Sequence, residues 1–209
     1  MSQSSLVAII PAAGLSRRMG QPKLLLPWRG DTVIGHLVRE LQAANVSQIF
    51  VVIRSSDDSL AKAVIKTGAT PVLPPVDPPD MRSSVEWGLQ AAYGLLDNPI
   101  HLDATSGWLL IPADHPIVSH QTIEALRAAW QPGQRQILVP TYSGRRGHPT
   151  LFSANFVSDV NQIPLDCGLN WVLKQHAASI IEIPVADPGI LVDLDTPEDY
   201  QALLARLMN

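Results

Sequence analysis

Six short apolar runs, rich in valine, isoleucine and leucine, alternate along the chain with stretches whose apolar residues recur at helical spacing. Near-continuous apolar runs of this length are typical of strands that are covered on both faces. The predicted strands are LVAII (6–10), QIFVVI (48–53), GWLLIP (107–112), QILVP (136–140), SIIEIPV (179–185) and ILVDL (190–194). The predicted helices cover 32–44, 59–68, 83–96, 119–130 and 196–208. The alternation predicts an α/β fold, a three-layer sandwich of a mostly parallel sheet with helices on both faces.

The bulk properties narrow the class of protein. The 209 residues predict a single domain spanning 1–209, with 46% hydrophobic residues to fill its core. The net charge of −4 argues against nucleic acid as a partner. The single cysteine excludes an internal disulfide and a four-cysteine zinc site. No run reaches the ~20 apolar residues that span a bilayer, and the first run is a poor signal peptide. We therefore expect a soluble, cytoplasmic protein without a membrane partner.

The first predicted strand runs into a turn of small residues and then into three cations. Residues 11–14 read Pro-Ala-Ala-Gly, and Arg17, Arg18 and Lys23 follow. Small residues let backbone N–H groups approach an anion, and the cations add charge-assisted hydrogen bonds to phosphates. The glycine spacing fits neither a Walker A loop nor the dinucleotide motif G-x-G-x-x-G. The stretch favours phosphate binding, with a tight turn followed by a solvated basic segment as the alternative.

Three aspartates follow predicted strands. Asp114 lies in IPADHP (111–116), and Asp193 and Asp195 lie in LVDLDTPEDY (191–200). In an open α/β sheet the ligand lies at the carboxyl ends of the strands, so these carboxylates are expected near the phosphate loop. Carboxylates beside a phosphate site need a cation between them, and Mg²⁺ is usually bound by one or two carboxylates plus phosphate oxygens. Asp193 is the preferred second ligand, because Asp195 also suits a helix cap.

Two further stretches are candidates for substrate contacts. GRRGHPTLF (144–152) predicts a β-hairpin whose Arg145, Arg146 and His148 are placed to grip an anionic substrate, or to form an exposed tip without a function. Ser84, at the start of a predicted helix, suits either a helix cap or a hydrogen bond to a nucleotide base.

Together these stretches resemble the nucleotidyltransferases related to molybdenum cofactor cytidylyltransferase. The resemblance covers nearly the whole chain and rests on five segments in the family's order: PAAGLSRRMGQPKLLLPWRG, DMRSSVEWGL, IPADHP, GRRGHPTLF and LVDLDTPEDY. The first segment is specific for the superfamily, and Arg-Gly-His-Pro points to the cytidylyltransferase-like branch. The resemblance implies a Rossmann-like, glycosyltransferase-A-type fold with a mixed, mainly parallel sheet.

The resemblance also implies an activity: transfer of NMP from an NTP, with CTP favoured, to a phosphorylated acceptor such as molybdopterin, with release of pyrophosphate. Mg²⁺, or alternatively Mn²⁺, is the implied cofactor, and a molybdoenzyme that receives the product is an implied partner. The family's roles carry over as nucleotide binding by Ala12, Ala13, Gly14, Arg18, Lys23 and Ser84; catalysis by Arg18, Lys23 and Asp114; metal binding by Asp114 and Asp193, with Asp195 second; and acceptor binding by Arg146 and His148. Arg17 falls on a variable position.

One position departs from the family. The segment that usually reads Gly-Asp-x-Gly-Ala-Arg is LDCGLN (165–170) here, so Asn170 stands where relatives have an arginine by the acceptor. The sequence leaves open the base, which is guanine in one alternative, and the acceptor, which is a sugar phosphate in another. A different class of function is a non-catalytic chaperone that binds a cofactor or nucleotide. The missing G-x-G-x-x-G argues against a dehydrogenase.

Overall fold

The computed structural model describes residues 5–93 and 105–207, and its centre is a mixed β-sheet. The strands within these residues are β1 (Leu6–Pro11), β2 (Pro27–Trp28), β3 (Asp31–Thr32), β4 (Gln48–Val52), β5 (Thr70–Val72), β6 (Gly107–Leu110), β7 (Ile137–Tyr142), β8 (Arg145–Arg146), β9 (Thr150–Ser153) and β10 (Ile180–Pro184). The α-helices are α1 (Val33–Ala43), α2 (Asp58–Lys66), α3 (Met81–Tyr93), α4 (His120–Ala129), α5 (Val157–Val160), α6 (Asn170–Gln175) and α7 (Pro197–Leu207).

The main sheet is mostly parallel, as predicted. Its strands run in the order β10-β7-β9-β6-β1-β4-β5, and β8 pairs with β7 outside this path. The pairs β1–β4, β1–β6, β4–β5 and β7–β10 are parallel, whereas β9 is antiparallel to both β6 and β7. Strands β2 and β3 form a separate two-stranded hairpin. The antiparallel β9 makes the sheet mixed.

Helices cover both faces of the sheet, and β1 shows how one strand serves two cores. Leu6, Ala8 and Ile10 belong to one buried cluster, which also contains apolar residues of α1, α2, α4 and α7. Val7 and Ile9 belong to a second cluster, which contains apolar residues of α3, α5 and α6. Successive side chains of a strand point to opposite faces, so a strand buried on both faces must be apolar throughout. The predicted three-layer sandwich is therefore confirmed.

Five of the six predicted strands are confirmed, but the strand predicted at 190–194 is wrong. Residues Pro188–Leu191 form a 3₁₀ turn, and the residues that follow lie outside the sheet. The turn is fixed by Asp187, whose carboxylate accepts a hydrogen bond from the Gly189 backbone N–H at 2.8 Å. A local aspartate cap and a proline at the start of the turn thus override an apolar run that resembles a strand.

Two other predicted boundaries shift. Part of the proline-rich stretch 70–80, which is outside the predicted strands, forms β5 at the edge of the sheet, where a proline is tolerated. The helix predicted at 83–96 begins two residues earlier, at Met81, and residues 94–96 lie outside the described residues. The same is true of Met208 at the end of the last predicted helix.

Within residues 5–93 and 105–207, none of the helices has the length and apolar character needed to cross a membrane.

Candidate active site

The loop after β1 leaves the sheet at its carboxyl edge and is held in an open turn. The Ala12 backbone N–H donates to the Val52 carbonyl at 2.8 Å, which extends the pairing with β4 by one residue. A Cβ placed on Gly14 would meet no atom within 4 Å, so this residue faces open space. Ser16 has a positive φ of 49°, and its hydroxyl accepts a hydrogen bond from the Lys23 backbone N–H at 3.4 Å. The loop therefore folds back and brings Lys23 to the strand ends.

A cleft of about 500 Å³ opens between this loop, the β6 end and the start of α3. Its walls include most of the residues predicted to bind the nucleotide, and carboxylates from two other loops: Ala12, Ala13, Gly14, Lys23, Ser84, Asp77, Asp80 and Asp114. Ser84 is only 3% exposed, and its hydroxyl donates to the Asp80 carbonyl at 3.1 Å. Parallel strands thus bring distant loops to one edge of the sheet, as the sequence predicts.

Lys23 is the electrostatic centre of the site. Its Nζ lies 3.3 Å from Asp114 Oδ2 and 3.0 Å from Asp195 Oδ1, and its side chain is only 13% exposed. Arg18 Nη2 lies 2.6 Å from the second oxygen of Asp195, while the Arg18 side chain is 72% exposed. Charge-assisted hydrogen bonds of this kind are stronger in a partly buried site than at the surface. The two predicted phosphate-binding cations therefore meet Asp114, a predicted metal ligand, and Asp195, the second choice for the other ligand.

Asp195 reaches Lys23 because the start of α7 is capped by another aspartate. Asp199 Oδ2 accepts hydrogen bonds from the backbone N–H groups of Asp195 and Thr196, at 3.1 and 2.8 Å, and from the Thr196 hydroxyl at 2.8 Å. In return the Thr196 hydroxyl accepts from the Asp199 N–H at 3.2 Å. These bonds, first of all that of the Thr196 hydroxyl, lower the pKa of the Asp199 carboxyl. With the cap supplied by Thr196 and Asp199, the Asp195 carboxylate is left for Lys23 and Arg18.

Asp193 lies close in the chain to this network, and the Leu194 N–H beside it donates to the Asp114 carbonyl at 2.7 Å. Asp193 is exposed, and its carboxylate has no hydrogen bond or ion pair with a residue in the described part of the chain. Its charge acts on the His115 ring. Residues 190–194 do not form a strand, so strand geometry does not place Asp193 and Asp195 on the same face. A metal-binding role for Asp193 stays a prediction, and Asp195 is the aspartate that meets Lys23.

The donor set is compatible with a divalent cation completed by a ligand. Among residues 5–93 and 105–207, no three His, Cys, Asp or Glu side chains converge closely enough to hold a metal ion. Asp114 and Asp195 nevertheless approach a common point, because one ammonium contacts both. Mg²⁺ is ordinarily held by one or two carboxylates, with water and phosphate oxygens filling the other positions. Two oxygen donors beside a phosphate-sized cleft fit that pattern.

A second cavity of about 530 Å³ adjoins the cleft, and Asp80 and Met81 line both spaces. Its walls are largely apolar and include Leu110, His148, Phe152 and Leu173. They also include Leu165, Cys167, Leu169 and Asn170, from the segment where the chain departs from the family. Asn170 is the first residue of α6. The Arg82 guanidinium donates to the carbonyls of Ile163 and Pro164, at 3.1 and 3.0 Å, and so ties this segment to α3.

Two histidine rings lie where the cavity meets the strand ends. The rings of His115 and His148 are 4.6 Å apart between centroids, and both Nδ1 atoms are buried without a hydrogen-bond partner in the described structure. Burial, together with a smaller effect of the neighbouring His115, lowers the pKa of His148 to about 4. Burial also lowers the pKa of His115, against the opposing charge of Asp114. Both imidazoles are therefore neutral near pH 7.

The hairpin separates His148 from Arg146. His148 is drawn inward because its backbone N–H donates to the Ile190 carbonyl at 3.0 Å, and a side chain at Gly147 would collide with that carbonyl. Arg146, predicted to bind the acceptor, points to the surface instead, where it pairs with Glu182 at 2.8 Å. It does not line the cavity that contains His148. An acceptor contact by Arg146 stays a prediction.

Two site residues were missed by the sequence analysis, although both follow strands that it predicted. Arg54 comes two residues after β4 and lines the cleft, and His115 follows Asp114 and stacks near His148. The rule that loops at the carboxyl ends of parallel strands carry ligand contacts applies to both. Arg54 is a single charge after its strand and not part of a cluster of cations, so its signal in the sequence is weak.

Comparison with known proteins agrees with this geometry. Residues 8–180 match the family model of the MobA-like NTP transferase domain. Molybdenum cofactor cytidylyltransferase from Escherichia coli K12 is 27% identical over 198 residues, which is 94% of each chain. The purine catabolism protein PucB from Bacillus subtilis 168 is 27% identical over 213 residues, or 96% of each chain. The solved structure of Rv0371c from Mycobacterium tuberculosis H37Rv superposes with a TM-score of 0.80 at 25% identity, covering 97% of this chain and 99% of that one.

The family match spans most of the chain. It includes the loop after β1 and Asp114, which lie at the carboxyl edge of the sheet. The protein belongs to the MobA-like NTP transferase family and is a nucleotidyltransferase.

Proposed function

We propose that the protein transfers a nucleoside monophosphate from CTP to the phosphate of molybdopterin and releases pyrophosphate. The observation that carries the proposal is the position of Lys23 Nζ, between Asp114 and Asp195 at the mouth of the cleft formed by the loop after β1. A paired lysine and two carboxylates beside a loop of small residues match the needs of a triphosphate and its metal. The similarity to a cytidylyltransferase supports CTP as the donor.

In the proposed reaction an oxygen of the acceptor phosphate attacks the α-phosphorus of CTP. A new P–O bond forms as the bond from the α-phosphorus to the bridging oxygen of the β-phosphate breaks, and pyrophosphate leaves with the electron pair. An acceptor phosphate is already anionic near neutral pH, so the step needs no general base. Catalysis then rests on positioning and on offsetting charge. The buried His148 is neutral, which agrees with a role in packing against the acceptor rather than in proton transfer.

Each charged residue has a part in this step. Lys23 and Arg18 stabilise the negative charge that develops on the α-phosphate and the departing pyrophosphate. Asp114 and Asp195 would hold Mg²⁺ or Mn²⁺, with Asp193 as the alternative second ligand. When bound, the metal offsets the repulsion between the phosphates of donor and acceptor. The closeness of both carboxylates to one ammonium supports the pair Asp114 and Asp195.

The cavity around His148 is the proposed acceptor site, because it adjoins the nucleotide cleft and shares Asp80 and Met81 with it. Its apolar walls suit a flat ring system such as a pterin, whereas Asn170 supplies no charge for the acceptor phosphate. A sugar phosphate is the alternative acceptor and GTP the alternative donor. A molybdoenzyme that takes up the product is the proposed partner.

The test measures pyrophosphate release with each of CTP, GTP, ATP and UTP, in the presence of either molybdopterin or a sugar phosphate, and with or without Mg²⁺. We expect Mg²⁺-dependent release with CTP. Release only with GTP, or only with a sugar phosphate, would replace the donor or the acceptor and keep the reaction. Nucleotide binding without release under any of these conditions would instead support the rival function, a non-catalytic chaperone.

A further inference from the structure

Arg54 lies at the junction of two spaces beside the loop after β1. It lines the cleft of about 500 Å³ that contains Asp114. It also lines a smaller cavity of about 320 Å³, which is bounded by the loop, the 3₁₀ turn Lys23–Leu25 and the start of α2. Gly14 and Lys23 border both spaces as well, whereas Asp114 borders only the larger one. Arg54 therefore approaches the loop from the side away from the aspartate.

The charge of Arg54 is less occupied than those of Arg18 and Lys23. Its nearest ion-pair partner is Asp57, with Arg54 Nη2 and Asp57 Oδ2 3.9 Å apart. The Asp57 carboxylate also accepts a hydrogen bond from the Leu60 N–H at 3.1 Å, as the cap of α2. Arg18 and Lys23, by contrast, contact carboxylates at 2.6 to 3.3 Å. The Arg54 side chain is only 27% exposed, so its guanidinium is held at the cleft and not extended into solvent.

Few cations line the larger cleft itself. The described ionisable side chains that line the larger space are the carboxylates of Asp77, Asp80 and Asp114 and the cations Lys23 and Arg54. Lys23 is already shared between two aspartates. Arg54 therefore offers a triphosphate in this space a positive charge in addition to those that the proposed function assigns to Lys23, Arg18 and the metal ion. A planar guanidinium can bind two phosphate oxygens at once.

We propose that Arg54 binds the β- and γ-phosphates of the nucleotide, the part that leaves as pyrophosphate, with the terminal phosphate directed toward the smaller cavity. This inference rests on the proposed function, because it assumes that an NTP occupies the cleft. It adds a phosphate-binding residue outside the segment that carries Arg18 and Lys23. It also makes Arg54 a determinant of selectivity for triphosphates over monophosphates, because a monophosphate lacks the groups that Arg54 contacts.

The experiment is calorimetric titration of the wild type and of Arg54→Gln with CTP, GTP, CMP, GMP and inorganic pyrophosphate, all with Mg²⁺. Loss of a charge-assisted hydrogen bond predicts at least about tenfold weaker binding of the preferred NTP and of pyrophosphate. Binding of the matching monophosphate should change by less than about twofold. Arg54→Lys should recover part of the loss, because it restores the charge without the planar fork. Arg206→Gln, an exposed position on α7, is the matched control and should bind like the wild type.

The outcomes distinguish failure of the proposed role of Arg54 from failure of the proposed function. If the wild type binds NTP and Arg54→Gln binds it equally well, the role of Arg54 is overturned and the proposed function stands. The same conclusion follows if Arg54→Gln weakens NTP and monophosphate alike, since the residue then acts on the loop rather than on the terminal phosphates. If the wild type binds none of the nucleotides, the proposed function fails and the inference fails with it. Circular dichroism of each variant establishes that it is folded.

Discussion

The cleft around Lys23 and the adjoining cavity around His148 differ in the charge of the side chains that line them. On the nucleotide side, Lys23 contacts Asp114 and Asp195 in one partly exposed network. On the other side, His115 and His148 lie close together with their Nδ1 atoms buried and unpaired among the described residues, and burial keeps them neutral. One side is arranged to offset the charge of phosphates, and the other presents apolar walls and uncharged rings. Under the proposed function, the donor would be selected by electrostatic attraction and the acceptor by shape.

The largest effect is expected on the charged side. Asp114→Asn keeps the shape of the side chain but removes the charge that we expect to hold the metal. We predict that kcat for pyrophosphate release falls by about 10²–10³-fold or more, the typical cost of losing one electrostatic contributor. The free energy of unfolding should change by less than about 1 kcal/mol, because the pair with Lys23 is partly exposed. Steady-state kinetics and urea denaturation measure the two quantities.

Asp58→Asn, in the first turn of α2, is the control for loss of one negative charge. It should retain the activity of the wild type. Full Mg²⁺-dependent turnover by Asp114→Asn would show that Asp114 is not needed for catalysis. The difference in charge between the cleft and the cavity would then not reflect separate catalytic and acceptor sites.

An intermediate effect is expected from the uncharged side. In the folded protein, chiefly burial lowers the pKa of His148 from its ordinary value of 6.5 to about 4. Between pH 6.5 and 4 the unfolded chain therefore binds more protons than the folded one, so stability is complete above pH 6.5 and is lost as the pH falls through this range. The loss attributable to His148 reaches up to about 3 kcal/mol. Urea denaturation at intervals from pH 7.5 to 4.5 measures it.

His148→Phe isolates this contribution, because phenylalanine keeps an apolar ring beside His115 but cannot be protonated. The variant should lose less stability than the wild type over the same pH range. The groups that act on His148 are His115, which lowers its pKa, and Asp114, which raises it, and both remain in the variant. Parallel pH profiles of the two proteins would mean that His148 is not kept neutral by the fold.

The smallest effect is expected at the hairpin tip. Arg146 and Glu182 are 52% and 51% exposed in their side chains, and exposed ion pairs contribute less than about 1 kcal/mol. Since Arg146 does not line the acceptor cavity, Arg146→Gln should leave the acceptor KM within about twofold of the wild type. Initial rates at varied molybdopterin concentration test this. A rise of the acceptor KM by tenfold or more would show that Arg146 binds the acceptor, as the sequence predicts. The acceptor site would then extend to the surface.

Much of this arrangement follows from sequence. The strands β1, β4, β6, β7 and β10 are visible as apolar runs, and parallel topology brings the loops that carry Lys23 and Asp114 to one edge. What sequence could not supply depends on local capping and on side-chain direction. Asp187 turns 188–191 into a 3₁₀ turn instead of a strand, and Asp199 caps α7 so that Asp195 is left for Lys23. Two acidic caps thus decided which aspartate reaches the site.

The pairing of Arg18 and Lys23 with Asp195 has a consequence for how the site is made. These contacts join residues that are 177 and 172 positions apart along the chain. Contacts of such large sequence separation carry a high loop-closure cost and are expected to form late in folding. While the chain is being synthesised, the loop after β1 emerges long before its partner aspartate. The loop therefore has no completed charge network until α7 has docked, so nucleotide binding that depends on this network reports that both ends of the described chain have come together.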